Sequence, residues 1–172
     1  MHLAVSGSRA LPRACWWYLL AALVILLDQW TKVLAEDLLR YGEPRVVTGF
    51  FNFTLLYNKG AAFSMLSDAG GWQHWLFSVI AAVVSVVLAV WLYRLPRTAR
   101  LEPFALALVL GGAIGNLIDR LRLGHVVDFI QLHYRELYWP AFNLADSAIT
   151  LGAGLLILLM LRHSDDGAEG GR

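Results

Sequence analysis

From Trp75 to Tyr93 the chain carries no charged side chain, only aliphatic and aromatic residues broken by Ser78 and Ser85. A run of this length and character spans a bilayer as a helix, since about 20 mostly apolar residues cover the hydrocarbon core. Three further stretches reach spanning length by taking polar residues into one end. The four spans predicted are roughly residues 16–34, 75–93, 103–118 and 141–161 of the 172. A hydrophobic fraction of 58% lies outside the range of a soluble domain, so the fold class is membrane all-α, a four-helix transmembrane bundle in a single domain. The net charge of +1 with scattered Lys and Arg gives no nucleic-acid surface, and the single cysteine, Cys15, excludes an intrachain disulfide.

Arg9 and Arg13 before the first apolar run imitate a secretory signal, but no small-residue cleavage site follows, and the run reads as a retained first helix. Arg9, Arg13, Arg94, Arg97, Arg100 and Arg162 put both termini and the middle loop on the cytoplasmic side. The connection at residues 35–74 is then an outer loop. Within it Val46 to Tyr57 is β-branched and aromatic with partial alternation, which predicts one or two short strands on the outer surface. Ala61 to Leu66 reads as a short amphipathic helix, and residues 164–172 as a polar, Gly-rich disordered tail.

The polar residues within the apolar segments converge. Asp28 and Lys32 close the first span, Asn116, Asp119 and Arg120 close the third, and Asn143 and Asp146 open the fourth. With that topology all of them reach one depth near the outer face. Ionisable groups there are costly and mark functional sites. Two carboxylates brought together in a poorly solvated site share one proton, so one can act as base on a water and the other as acid toward a carbonyl. Spacing alone does not choose the pair among Asp28, Asp119, Asp128 and Asp146.

Each residue also has a structural reading. Asp28 and Lys32, at i and i+4, form an ordinary helix ion pair. Asp119-Arg120 fits an interface anchor as well as a contact from Arg120 to a lipid phosphate or substrate backbone. Asn58, Asn116 and Asn143 suit holding an extended peptide backbone, and any one of them equally suits a helix cap. Gly111, Gly112 and Gly115 suit close helix packing. His125, Asp128 and His133 match no strong zinc spacing, and Ser64 with Lys59 lacks the context of a nucleophilic serine. A small transporter would spread polar residues over several depths, and a non-catalytic assembly factor would use the aspartates as caps.

Five blocks of the chain resemble the signatures of bacterial lipoprotein signal peptidase, the type II signal peptidase: Asp28-Gln29-Trp30-Thr31-Lys32, Asn58-Lys59-Gly60-Ala61-Ala62-Phe63-Ser64, Gly111 to Arg120, Val126-Val127-Asp128-Phe129 and Phe142-Asn143-Leu144-Ala145-Asp146-Ser147. The resemblance implies an aspartic endopeptidase of the bacterial inner membrane, with an extracytoplasmic β-cradle and short helix over a site near the periplasmic face. It implies removal of signal peptides from diacylglyceryl-modified prolipoproteins, inhibition by globomycin, and no cofactor or metal. Carried over by position, the catalytic dyad falls on Asp128 and Asp146. The supporting residues fall on Asp28, Lys32, Asn58, Gly60, Asn116, Asp119, Arg120, Asn143 and Ala145.

Overall fold

The computed structural model describes residues 13–60, 72–96 and 98–169. Its elements are α1 (Arg13–Leu38), β1 (Arg45–Thr48), β2 (Phe51–Asn58), α2 (Trp72–Arg94), α3 (Leu101–Leu123), β3 (Val126–Tyr134), β4 (Leu137–Tyr138) and α4 (Leu144–Glu169). All four helices are long and apolar enough to cross a membrane, and the strands form one antiparallel sheet in the order β1-β2-β3-β4. The expected membrane bundle with a small sheet is the observed architecture.

Helix α3 is the hub, packed against α1, α2 and α4. Its Ala105, Leu106 and Ala107 are fully buried, while Leu26, Val79, Val83, Val86 and Ile157 on the outer helices face outward. That inside-out distribution suits lipid, in which close packing of small residues replaces the hydrophobic effect as the force between helices. Glycines set the spacing. A Cβ on Gly111 would stand 2.8 Å from the Ala21 carbonyl oxygen of α1, and one on Gly152 of α4 2.6 Å from that of Ala105. On Gly112 it would collide with the Ala145 carbonyl oxygen of α4. Backbone cannot yield as a flexible side chain does, so Gly112→Ala must push α4 off α3. The expected result is a loss of about 1–3 kcal/mol, read as a lowered melting temperature in detergent.

Several boundaries differ from the sequence reading. Helix α1 continues through Leu38, and α3 runs to Leu123, so Arg120 lies in its last turn and Asn116 and Asp119 in the turns before it. Helix α4 starts at Leu144 because Asn143 caps it. The tail expected to be disordered is helical backbone as far as Glu169, since adding residues to an existing helix avoids the cost of nucleation. Residues 170–172 and the amphipathic helix expected over Ala61 to Leu66 lie outside the described residues.

Strands β1 and β2 cover the β-rich stretch Val46 to Tyr57 and extend one residue beyond it at each end. Strand β3 has no counterpart in the sequence reading, which names Val126 to Phe129 only as a signature block. Its first four residues are all buried, so the alternation that announces a half-exposed strand is missing. Gly124 ends α3 in the left-handed conformation, φ 76°, with its N–H donating to the Arg120 carbonyl. This reversal is natural for glycine at that position and returns β3 against the end of α3. Asp128 arrives with it.

Candidate active site

The polar residues of α1, α3, β3 and the start of α4 form one connected network, and Lys32 is its hub. The Lys32 ammonium is 2.8 Å from Asp28 Oδ2 and 2.8 Å from Asp119 Oδ2, and it donates to Asn116 Oδ1 at 2.9 Å. Three donors are all that an ammonium has, and each is used. Asp28, Lys32 and Asp119 are at most 3% exposed, so this is a buried ion cluster tying α1 to α3. The helix ion pair expected of Asp28 and Lys32 is present, but two of the three Lys32 contacts leave its own helix. Asp119 is no interface anchor: it is buried, and it also accepts a hydrogen bond from the Val127 N–H at 3.2 Å, fastening β3 to α3.

Asp28 reaches further. Its Oδ1 accepts the Ala145 N–H at 2.9 Å, one of the first-turn donors of α4 that have no partner within their own helix. Ala145 is fully buried there, and a Cβ on neighbouring Gly115 would meet Asp28 Oδ2 at 2.6 Å. Both positions need small residues for the carboxylate to pass between α3 and α4. Gln29 is a member of the network that sequence reasoning left out of the candidate site. Its Nε2 donates to Asp119 Oδ1 at 2.8 Å and lies 3.2 Å from both Asp28 Oδ2 and the Gly115 carbonyl. A polar side chain beside Asp28 in an apolar helix was the available signal.

The asparagines transmit this order to Asp128 and Asp146. An ammonium only donates, so Asn116 must turn its oxygen to Lys32, and its Nδ2 then faces Asp146 Oδ1, donating at 2.7 Å. Asn143 caps α4 through a reciprocal pair: its Oδ1 accepts the Asp146 N–H at 2.9 Å, and Asp146 Oδ2 accepts the Asn143 N–H at 3.3 Å. The Asn143 Nδ2 donates to Asp128 Oδ1 at 2.7 Å, with Asn116 Oδ1 and the Val127 carbonyl each at 3.2 Å. Asn143 is therefore the cap that the sequence allows, and its amide nitrogen also clamps Asp128.

Asp128 is 2% exposed in the interior of the sheet. Burial pushes its carboxyl up to about 7, and the charge of Asp146 acts in the same direction, against hydrogen bonds from Asn58 and Asn143. Asn58, the last residue of β2, accepts the Gly60 N–H on its Oδ1 at 2.8 Å, which leaves its amide nitrogen for Asp128. Gly60 has φ 92°, and a Cβ there would strike the Phe77 ring. Asp146 is half-buried, and both its oxygens accept N–H donors.

Arg120 lies in the field of Asp146, Asp128 and Asp119, with its guanidinium carbon 5.8 Å from the centre of the Phe77 ring. Its Nη1 reaches the Asn116 carbonyl at 3.4 Å, and its buried Nε has no hydrogen-bond partner among the described residues. His125 packs on Tyr57, ring centres 4.3 Å apart, and His133 stacks on Tyr138 at 5.2 Å. Ser64 lies outside the described residues.

Residues 20–162 match the family model described as signal peptidase (SPase) II. The chain belongs to that family. The lipoprotein signal peptidase of Cellvibrio japonicus is 58% identical over 149 residues, covering 87% of this chain and 88% of that protein. That of Acinetobacter baylyi is 54% identical over 147 residues, covering 86% and 82%. Two solved bacterial membrane enzymes, studied by the in meso method, share the fold: one with TM-score 0.77 at 31% identity, covering 87% of this chain and 90% of its own, the other with 0.74 at 32%, covering 84% and 92%. All five signature blocks fall within the matched span. In this signal peptidase II chain the residues carried over from the signature blocks, Asp28, Lys32, Asn58, Gly60, Asn116, Asp119, Arg120, Asp128, Asn143, Ala145 and Asp146, belong to the network just described or line it.

Proposed function

We propose that the chain is an intramembrane aspartic endopeptidase that removes the signal peptide from diacylglyceryl-modified prolipoproteins, cutting before the lipidated cysteine. What carries this reading is the unequal treatment of two neighbouring carboxyls. Asp128 is buried and favours its neutral form, whereas Asp146 is only half-buried and has N–H donors on both oxygens. Unequal environments of this kind separate acid from base in a carboxyl pair.

Asp146 takes a proton from a water whose oxygen attacks the scissile carbonyl carbon, and Asp128 gives its proton to the carbonyl oxygen. The tetrahedral diol then collapses. Asp146 passes its proton to the leaving nitrogen, Asp128 recovers one from the diol, and the C–N bond breaks with no covalent enzyme intermediate. The scissile segment must be unwound first, because a helical carbonyl is already hydrogen-bonded within its own chain. Arg120, with Nε unpaired among the described residues, is suited to hold the unwound backbone, while the amides of Asn58, Asn116 and Asn143 hold the two carboxyls in place.

The membrane is the bacterial inner membrane, with both termini cytoplasmic and the site near the periplasmic face. Arg94, Arg100 and Arg162 support that orientation by the positive-inside rule. Globomycin is expected to compete with the prolipoprotein. A pH profile of cleavage tests the roles of the two aspartates. Asp128 must keep its proton to act as acid, so the rate should fall as pH rises through about 7. A profile still climbing at pH well above that value would remove Asp128 from the acid role.

A further inference from the structure

Between the final turns of α1 and the sheet lies a cleft of about 620 Å³, apart from the aspartate network. Leu34, Ala35 and Leu38 form its helical wall, with Val46 of β1, Phe53 of β2 and Phe129 of β3 opposite. The helical wall is the C-terminal end of a helix long and apolar enough to cross a membrane. Val46 is 72% exposed, an outward apolar surface that continues the cleft. Arg45 is the only charged residue among those lining the cleft, and it has no ion pair among the described residues.

We propose that this cleft holds one anionic glycerophospholipid, an acyl chain lying among Leu34, Leu38, Phe53 and Phe129 and the phosphate meeting the Arg45 guanidinium. The apolar walls, in the last turns of a spanning helix, match the hydrocarbon. Arg45 at the rim supplies planar donors suited to phosphate oxygens at the headgroup level. Phe129 follows Asp128 in β3, so a chain seated there buttresses the strand that carries the buried carboxyl. A neutral diacylglyceryl group fits the walls but gives Arg45 no anion, and a free phosphate meets Arg45 but leaves the walls unfilled.

The assignment does not rest on the peptidase reading, and its test reads lipid retention rather than cleavage. The full chain, delipidated in detergent, is titrated with phosphatidylglycerol and phosphatidylcholine of the same chain length, and native mass spectrometry counts the adducts. One phosphatidylglycerol should bind saturably and outlast phosphatidylcholine. Arg45→Gln should weaken it about five- to tenfold, the effect of losing one headgroup-level cation. Val46→Trp, at an exposed position, should reduce retention of both lipids by obstructing the cleft, with an unchanged melting temperature as evidence that the fold is intact. Equal retention of both lipids, or binding untouched by Arg45→Gln, would overturn the proposal. So would competition by glycerol phosphate or by neutral diacylglycerol as strong as that by phosphatidylglycerol.

Discussion

Lys32→Met is expected to destabilise the folded chain by about 3–5 kcal/mol, the cost of breaking a buried ion cluster by removing one partner. Lys32 is 2% exposed and holds two carboxylates and an amide oxygen at 2.8–2.9 Å. Methionine fills much of the same volume, so the loss is electrostatic rather than a cavity. Asp28 and Asp119 would be left facing one another without a cation, and Asn116 would lose the contact that fixes its amide orientation. Thermal unfolding in detergent reads the stability. The double variant Lys32→Met with Asp119→Asn should recover part of the loss by removing one uncompensated charge. Unfolding as stable as wild type, or no recovery in the double variant, would mean that the cluster does not hold the helix ends together.

Asp128→Asn and Asp146→Asn are each expected to reduce cleavage by about 10²–10⁴-fold or more, the range general acid–base groups supply. Their stabilities should separate them. Asp128 is buried with its charged form disfavoured, so a neutral amide at 128 leaves stability unchanged or raises it above pH 7. Asp146 completes the cap of α4 through the Asn143 N–H, so its variant should lose about 0.5–1 kcal/mol. A purely capping role for Asp146 predicts the opposite weighting: slightly lowered stability with cleavage retained.

The helices were legible because their signal is strong: long apolar runs, with α2 free of charge from Trp75 to Tyr93. Convergence of Asp28, Lys32, Asn116, Asp119, Asn143 and Asp146 was legible too, since topology alone brings those segment ends to one depth. The partnering was not. Lys32 meets Asp119 and Asn116 across a helix interface, and Asp28 meets Ala145 far along the chain, contacts that no local spacing encodes. Strand β3 was hidden because burial at Val126 to Phe129 erases alternation. Asn143 shows why single residues mislead: a cap and a ligand to Asp128 look identical in sequence, and here one side chain does both.

The most direct test presents a prolipoprotein, with and without its diacylglyceryl group, to the purified chain and to its Asp128→Asn and Asp146→Asn variants. All three proteins are first matched for folded concentration, and the size shift is followed on a gel. The expected result is cleavage of the lipidated form alone, by the wild-type chain alone. Cleavage that persists in either variant, or a folded wild-type chain that leaves the lipidated substrate intact, would contradict it.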